Sequence, residues 1–230
     1  MRLLMRIMYH GTSVTLEQLE DILTNSFYEQ YPNFNGVGSE CGLITTKGGK
    51  IGDGVYLAPD INAAETIACH RFIQRPKTAK VVLEYFINLP KGFKSKACMC
   101  NPFAPNVNDN KHCYSEGNDR VDIVKAWHPL WVGETVFREM CVKNPAHLIL
   151  RAVYIGNGYA LNPKLLSEYL RDSKLKVDNM GNISVTGMPP IKPLAPREKE
   201  MKQLYEWWKD LWLNPPRGGC NFCCKRIFSK

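Results

Sequence analysis

Long apolar runs are missing from this chain of 230 residues. No stretch approaches the ~20 consecutive apolar residues that a helix needs to cross a bilayer. The opening, Met1 to Met8, is apolar with two arginines, Arg2 and Arg6. It has neither the extended apolar region nor the small-residue cleavage site of a secretory signal, so a first β-strand is the expectation. No internal repeat is present, which sets aside stacked-repeat architectures. The chain ends Ile227, Phe228, Ser229, Lys230, so a C-terminal prenylation box is absent as well.

What is present fits a globular protein with a substantial core. Apolar residues make up 44% and aromatic ones 10%, enough for one good-sized domain with an appendage. The formal charge of +8 permits contact with nucleic acid, anionic cofactors or acidic surfaces, but it is spread thinly rather than massed in one run. Nine cysteines, an odd count without a signal peptide, favour reduced thiols and a cytoplasmic or nuclear setting.

Along the chain, Leu3–His10 reads as a strand. Thr15 with Gln18 makes a capping box, after which Leu16, Leu19, Ile22 and Leu23 recur at helical spacing as far as Asn25. Residues 31–54 are rich in glycine and read as a long functional loop. Val55–Ala58 is a short strand, and Asp60 caps a helix running to about Phe72. Thr78–Leu89 alternates as a strong strand, 90–119 reads as an excursion, and Arg120–Ala126, Glu134–Val142 and Leu148–Ile155 read as three further strands. Early helices followed by consecutive strands give an α+β class with an antiparallel or split sheet. Beyond Gly156, Pro163–Leu175 is expected to be helical and 177–196 to be a polar linker. Arg197–Leu213 carries Met201, Leu204, Tyr205, Trp208, Leu211 and Trp212 on one stripe, whose simplest use is docking on the domain. The expected division is 1–160, the main domain, and 161–230, a helical extension with a cysteine-rich tail.

Three short pieces carry the chemistry: His10-Gly11-Thr12, Gly52-Asp53-Gly54-Val55-Tyr56 and Arg138-Glu139-Met140. Cleaving a positively charged N-glycoside needs a group to fix the donor, a flat ring to hold the leaving base and a carboxylate to steady a sugar cation. The histidine, tyrosine and glutamate supply one each. Singly they are weak signals, although a glutamate inside an apolar strand is unusual because burying an unpartnered carboxylate is costly.

In their order and setting these pieces resemble the ADP-ribosyltransferases of the poly(ADP-ribose) polymerase and diphtheria-toxin group, with their His-Tyr-Glu signature. The matching stretches are Tyr9–Ser13, Gly52–Asp60 and Arg138–Leu148, within about residues 5–156, and the look is of the small stand-alone members. The resemblance implies a split antiparallel sheet with flanking helices and NAD as co-substrate. It implies that His10 bonds the adenosine ribose, with Thr12 as a second contact, and that Gly11 offers its backbone to the nicotinamide amide. Tyr56 would stack on nicotinamide and Glu139 would hold a hydroxyl of the nicotinamide ribose. His10, Tyr56 and Glu139 are thus the expected catalytic residues, with Gly54 and Ala64 in the cofactor-binding set. The loop from about Asn35 to Asp53 would lie over the NAD, with Lys47 and Lys50 near the pyrophosphate. Departures are Ala64, where many members have a serine, Ile67 in place of a second aromatic, and Arg138 where asparagine is frequent.

The implied activity is transfer of ADP-ribose to a protein or nucleic-acid acceptor, single transfer being preferred to chain building. Two alternatives stay open: a module of the same fold that holds NAD or ADP-ribose without turnover, and a basic nucleic-acid-binding protein using the lysines and tryptophans. Cys98, Cys100, His112 and Cys113 are ligand types suited to zinc, but their spacing matches no strong template, and free thiols are the preferred reading. Cys220, Cys223 and Cys224 in the tail could hold metal or accept palmitate, but a disordered or loosely packed end is the preferred reading. Glu84, Glu116 and Glu134 read as surface or structural carboxylates.

Overall fold

The computed structural model describes residues 6–28, 45–46, 54–87, 95–98, 123–132 and 135–194; for 6, 27–28, 45–46, 95–98, 123–132 and 135–139 that description is of strand placement alone. The architecture is α+β, with sheets built mostly from antiparallel pairs and few helices.

The first strand, β1 (Arg6–Val14), runs past the end expected at His10 because every position to Val14 finds a partner on β5 (Ala79–Ile87). Helix α1 (Leu16–Asn25) starts as expected: the Gln18 N–H donates to Thr15 Oγ1 at 3.1 Å, and the Thr15 N–H donates back to Gln18 Oε1 at 3.0 Å. After β2 (Phe27–Tyr28), β3 (Thr45–Thr46) and β4 (Gly54–Leu57) comes α2 (Ile61–Gln74). Asp60 caps α2 by accepting the Asn62 N–H at 2.9 Å. The strand β6 (Ser95–Cys98) interrupts the expected excursion, pairing in parallel with β7 (Ile123–Val132). Next come β8 (Thr135–Val142), β9 (Leu148–Gly156) and β10 (Tyr159–Leu161).

One sheet has the order β1-β5-β9-β10, with β2 added to β9; the other has the order β3-β4-β8-β7-β6. β5 is buried over almost its whole length, since both of its faces are covered. On one face Val81, Leu83 and Tyr85 join Met8, Leu19, Ile22 and Leu23 of β1 and α1. On the other, Val82 meets Ala58 and the alanines of α2. Alternation along β5 therefore marks two cores rather than a wet and a dry side.

The expected linker over 177–196 is instead folded as far as Leu194, the last described residue. Helix α3 (Pro163–Arg171) leads into a hairpin of β11 (Leu175–Val177) and β12 (Ile183–Val185), closed by Asp178, whose carboxylate accepts the Met180 and Asn182 N–H groups. Leu161, Leu166, Leu175, Ile183 and Val185 enter the same core as β1 and β5, so the residues on either side of position 160 share one interior. A strap then crosses to α2. The Lys192 carbonyl accepts the Asn157 N–H, and the Leu194 carbonyl accepts from Lys80 Nζ at 3.4 Å and Cys69 Sγ at 3.8 Å. The Leu194 side chain, 2% exposed, packs among Ala58, Ala64 and Val82.

Among the described residues no helix is long and apolar enough to cross a membrane. The remainder of the 31–54 loop with Lys47 and Lys50, the rest of the excursion with Glu116, Glu134, the Arg197–Leu213 stripe and the terminal cysteines lie outside the described residues.

Candidate functional site

Among the described residues one backbone bridge joins the two sheets, whose side chains also share a core. Tyr9 donates to the Ala58 carbonyl at 2.8 Å, and Ala58 donates to the Tyr9 carbonyl at 2.7 Å; among the described residues this bridge is isolated. In an antiparallel ladder the next bonded pair would be Gly11 with Tyr56, two residues further on each strand. It does not form. The Tyr56 carbonyl bonds instead to His10 Nδ1 at 2.7 Å. A carbonyl only accepts, so Nδ1 carries the proton and Nε2 is left with its lone pair. Because Tyr9 spends its N–H and carbonyl on Ala58, the same groups of Gly11 turn toward that side, where β1 and β4 part.

Burial holds the His10 pKa down at about 4, with Arg71 lowering it further and the Tyr56 bond opposing. The ring is therefore neutral at pH 7, an acceptor at Nε2 rather than a cation.

Gly11 is required by a second contact. A Cβ on it would stand 1.7 Å from the Ala64 carbonyl oxygen, so α2 lies backbone-first against β1 at this point. Ala64 is fully buried in that contact, with Ala63 and Ala68 beside it. Ile67 is partly buried on the same cluster. Gly54 has a different reason. Its φ of +150° and the 2.4 Å separation a Cβ would have from the Val142 carbonyl oxygen make it necessary for β4 to lie on β8, whatever else binds there. Thr12 is 5% exposed, one of the buried polar side chains of β1.

Glu139 enters as a strand position. Leu57 pairs with Met140 and Tyr56 with Cys141, which sets position 139 level with Ala58, while on its other side it pairs with Ala126. Arg138 is the next position along β8. His10, Tyr56 and position 139 thus belong to β1, β4 and β8, with β4 bridged to β1 at Ala58 and paired with β8.

Four residues of this region carried no functional expectation. Glu84, directly across from Tyr9 on β5, is 7% exposed rather than a surface carboxylate. Its Oε2 accepts the Tyr154 hydroxyl at 2.7 Å, and Arg151 Nη1 stands 3.5 Å from Oε1. The Tyr154 ring meets the Tyr9 ring edge-on at 6.3 Å. Burial raises the pKa of both phenols, and the carboxylate bonded to Tyr154 raises its pKa further. The signal available in the sequence was the one used for Glu139, a glutamate within an apolar strand. Elsewhere, burial lifts the Cys69 thiol to about 11, away from the thiolate form at neutral pH, and burial also raises the Glu65 carboxyl.

Among the described residues no group of three or more His, Cys, Asp or Glu side chains could hold a metal ion. Cys98 enters only as a position of β6, and Cys100, His112 and Cys113 lie outside the described residues. No protein-family model, curated protein or solved structure matches the chain.

Proposed function

We propose that this protein is an NAD-dependent ADP-ribosyltransferase of the split-sheet, His-Tyr-Glu kind. The observation that carries the reading is the capture of the Tyr56 carbonyl by the His10 ring. That bond takes the Tyr56 carbonyl that the next rung past Tyr9 would use, and strand alternation leaves the Gly11 backbone turned toward the opening. A peptide N–H and C=O side by side suit a primary amide such as that of nicotinamide. The neutral Nε2 of His10 suits a ribose hydroxyl as donor, and the Tyr56 ring suits the leaving base.

In this reading the Glu139 carboxylate holds a hydroxyl of the nicotinamide ribose. As the bond from C1′ to the nicotinamide nitrogen breaks, its electron pair leaves with nicotinamide and positive charge grows on the ribose. A carboxylate placed beforehand stabilises that charge more than water does. The acceptor nucleophile then bonds to C1′ and releases its proton to solvent or to the carboxylate. Protein side chains and nucleic-acid ends are the acceptor classes, and single transfer is the expected outcome.

Glu139→Gln tests the assignment. Transfer should fall by at least about a hundredfold while the dissociation constant for NAD stays within about threefold, because the lost charge acts mainly in the transition state. Full transfer by that variant would overturn the role. The α2 wall, with Ala64 and Ile67 in place of a serine and an aromatic ring, favours one second reading: a module that binds NAD without cleaving it. Nicotinamide release from labelled NAD separates the two.

A further inference from the structure

We infer that Glu84 is a positioning residue of the candidate site, holding Tyr9 in the backbone bridge to Ala58, beyond which β1 and β4 part beside His10 and Gly11. The inference rests on the functional reading above for its consequence, though its geometry does not.

A carboxylate almost wholly removed from water is a poor choice for merely joining two strands. An apolar residue of the same shape would pair β1 with β5 at less cost. Glu84 is instead surrounded by groups that consume its oxygens, Tyr154 on one and Arg151 on the other. The arrangement required local irregularity, because the ladder between β5 and β9 shifts register between Glu84 and Tyr85, so that Glu84 faces Ala152 and Tyr85 faces Leu150. Arg151 falls at that shift, its guanidinium 4.1 Å from the centre of the Phe86 ring and within reach of Glu84.

The cluster is directed at Tyr9. Glu84 lies opposite it across the strand pair, and Tyr154, fixed by its hydroxyl, presents its ring to Tyr9 at 71° between planes. Tyr9 in turn makes the backbone bridge to Ala58 and directly precedes His10. A shift of Tyr9 would slide that bridge, and the His10 bond to the Tyr56 carbonyl lies one residue away. Glu84 acts through Tyr154 and Tyr9.

The test uses the full chain with Tyr154→Phe, which keeps the ring and removes the hydroxyl, and Glu84→Gln, which keeps the shape and removes the charge. The probe is the 15N spectrum of the His10 imidazole, assigned by comparison with His10→Gln and followed with pH. In the parent, Nδ1 is protonated and titration centres at about 4. In both variants the protonated-Nδ1 signature should weaken, because the ring loses its fixed bond to the Tyr56 carbonyl. At a temperature well below unfolding, kcat/KM for NAD should fall by roughly tenfold to a hundredfold per folded molecule. Variants that lose melting temperature while the His10 spectrum and kcat/KM stay as in the parent would overturn the inference. A parent that releases no nicotinamide, with the His10 signature still weakened in both variants, would support the positioning role and sink the transferase reading.

Discussion

Helices α1 and α2 cover opposite faces of the same sheet and are packed by opposite means. α1 stands off from β1 and β5 on branched side chains, Leu19, Ile22 and Leu23, each at most 1% exposed. α2 comes in on Ala63, Ala64 and Ala68, close enough that its backbone meets Gly11 directly. Large side chains remove more apolar surface from water and tolerate small readjustments of the helix. A backbone contact removes less surface but sets a position with little slack, because there is no side chain to repack. α1 contributes stability; α2 contributes placement of the wall against β1 at Gly11, next to His10.

This contrast can be broken by mutation. Leu23→Ala should lower the unfolding free energy by about 3 kcal/mol, the usual range being about 2–5, and leave NAD kinetics per folded molecule as in the parent. Gly11→Ala should cost about 1–3 kcal/mol or more, and it should also abolish NAD-dependent turnover, because α2 must move away from β1. Urea unfolding together with a nicotinamide-release assay reads both. A Gly11→Ala protein with parental stability would show that α2 does not press on β1.

The acid side of the stability profile gives a second effect, centred on His10. His10 has its pKa lowered from 6.5 to about 4 in the folded protein, so the unfolded chain binds the proton first as the pH falls. His10 thus leaves stability intact above pH 6.5 and erodes it as the pH drops toward 4, after which its effect levels off. His10→Gln should flatten the melting temperature over that window relative to the parent. An unchanged slope would mean that the ring is not held neutral.

The smallest difference concerns the caps. Thr15→Ala and Asp60→Ala each remove an oxygen that accepts an N–H in the first turn of a helix, and each should cost about 1 kcal/mol. Only the Asp60 variant, which loosens the start of α2, should raise KM for NAD. Equal effects of the two caps on KM would remove the distinction between the helices.

How much of this could be read in advance follows from the range of the interactions. The capping box at Thr15 and the stripe over Leu16–Leu23 are local, and α1 formed where they placed it. The cap at Asp60 was local too, and α2 began there, although its small buried face gives little periodic signal. The hairpin of β11 and β12 was hidden because its strands are three residues each and its turn is polar, a pattern shared with linkers. The role of Glu84 was hidden because its partner Tyr154 lies 70 residues away, and the bond from His10 ends on a backbone carbonyl, which carries no sequence identity. Placing His10, Tyr56 and Glu139 near one another rested on resemblance, and only the strand pairings supply a physical route between them.

The strap that ends at Leu194 has a practical corollary. A shortened version of the chain stopping near residue 160 would strip the cover from Ala64, Ala68 and Val82 and leave the Lys80 ammonium without its carbonyl. It would also bare the apolar side of the sheet that α3 and the hairpin now shield, inviting aggregation. Any minimal version intended for assay or crystallisation should therefore run at least through Leu194.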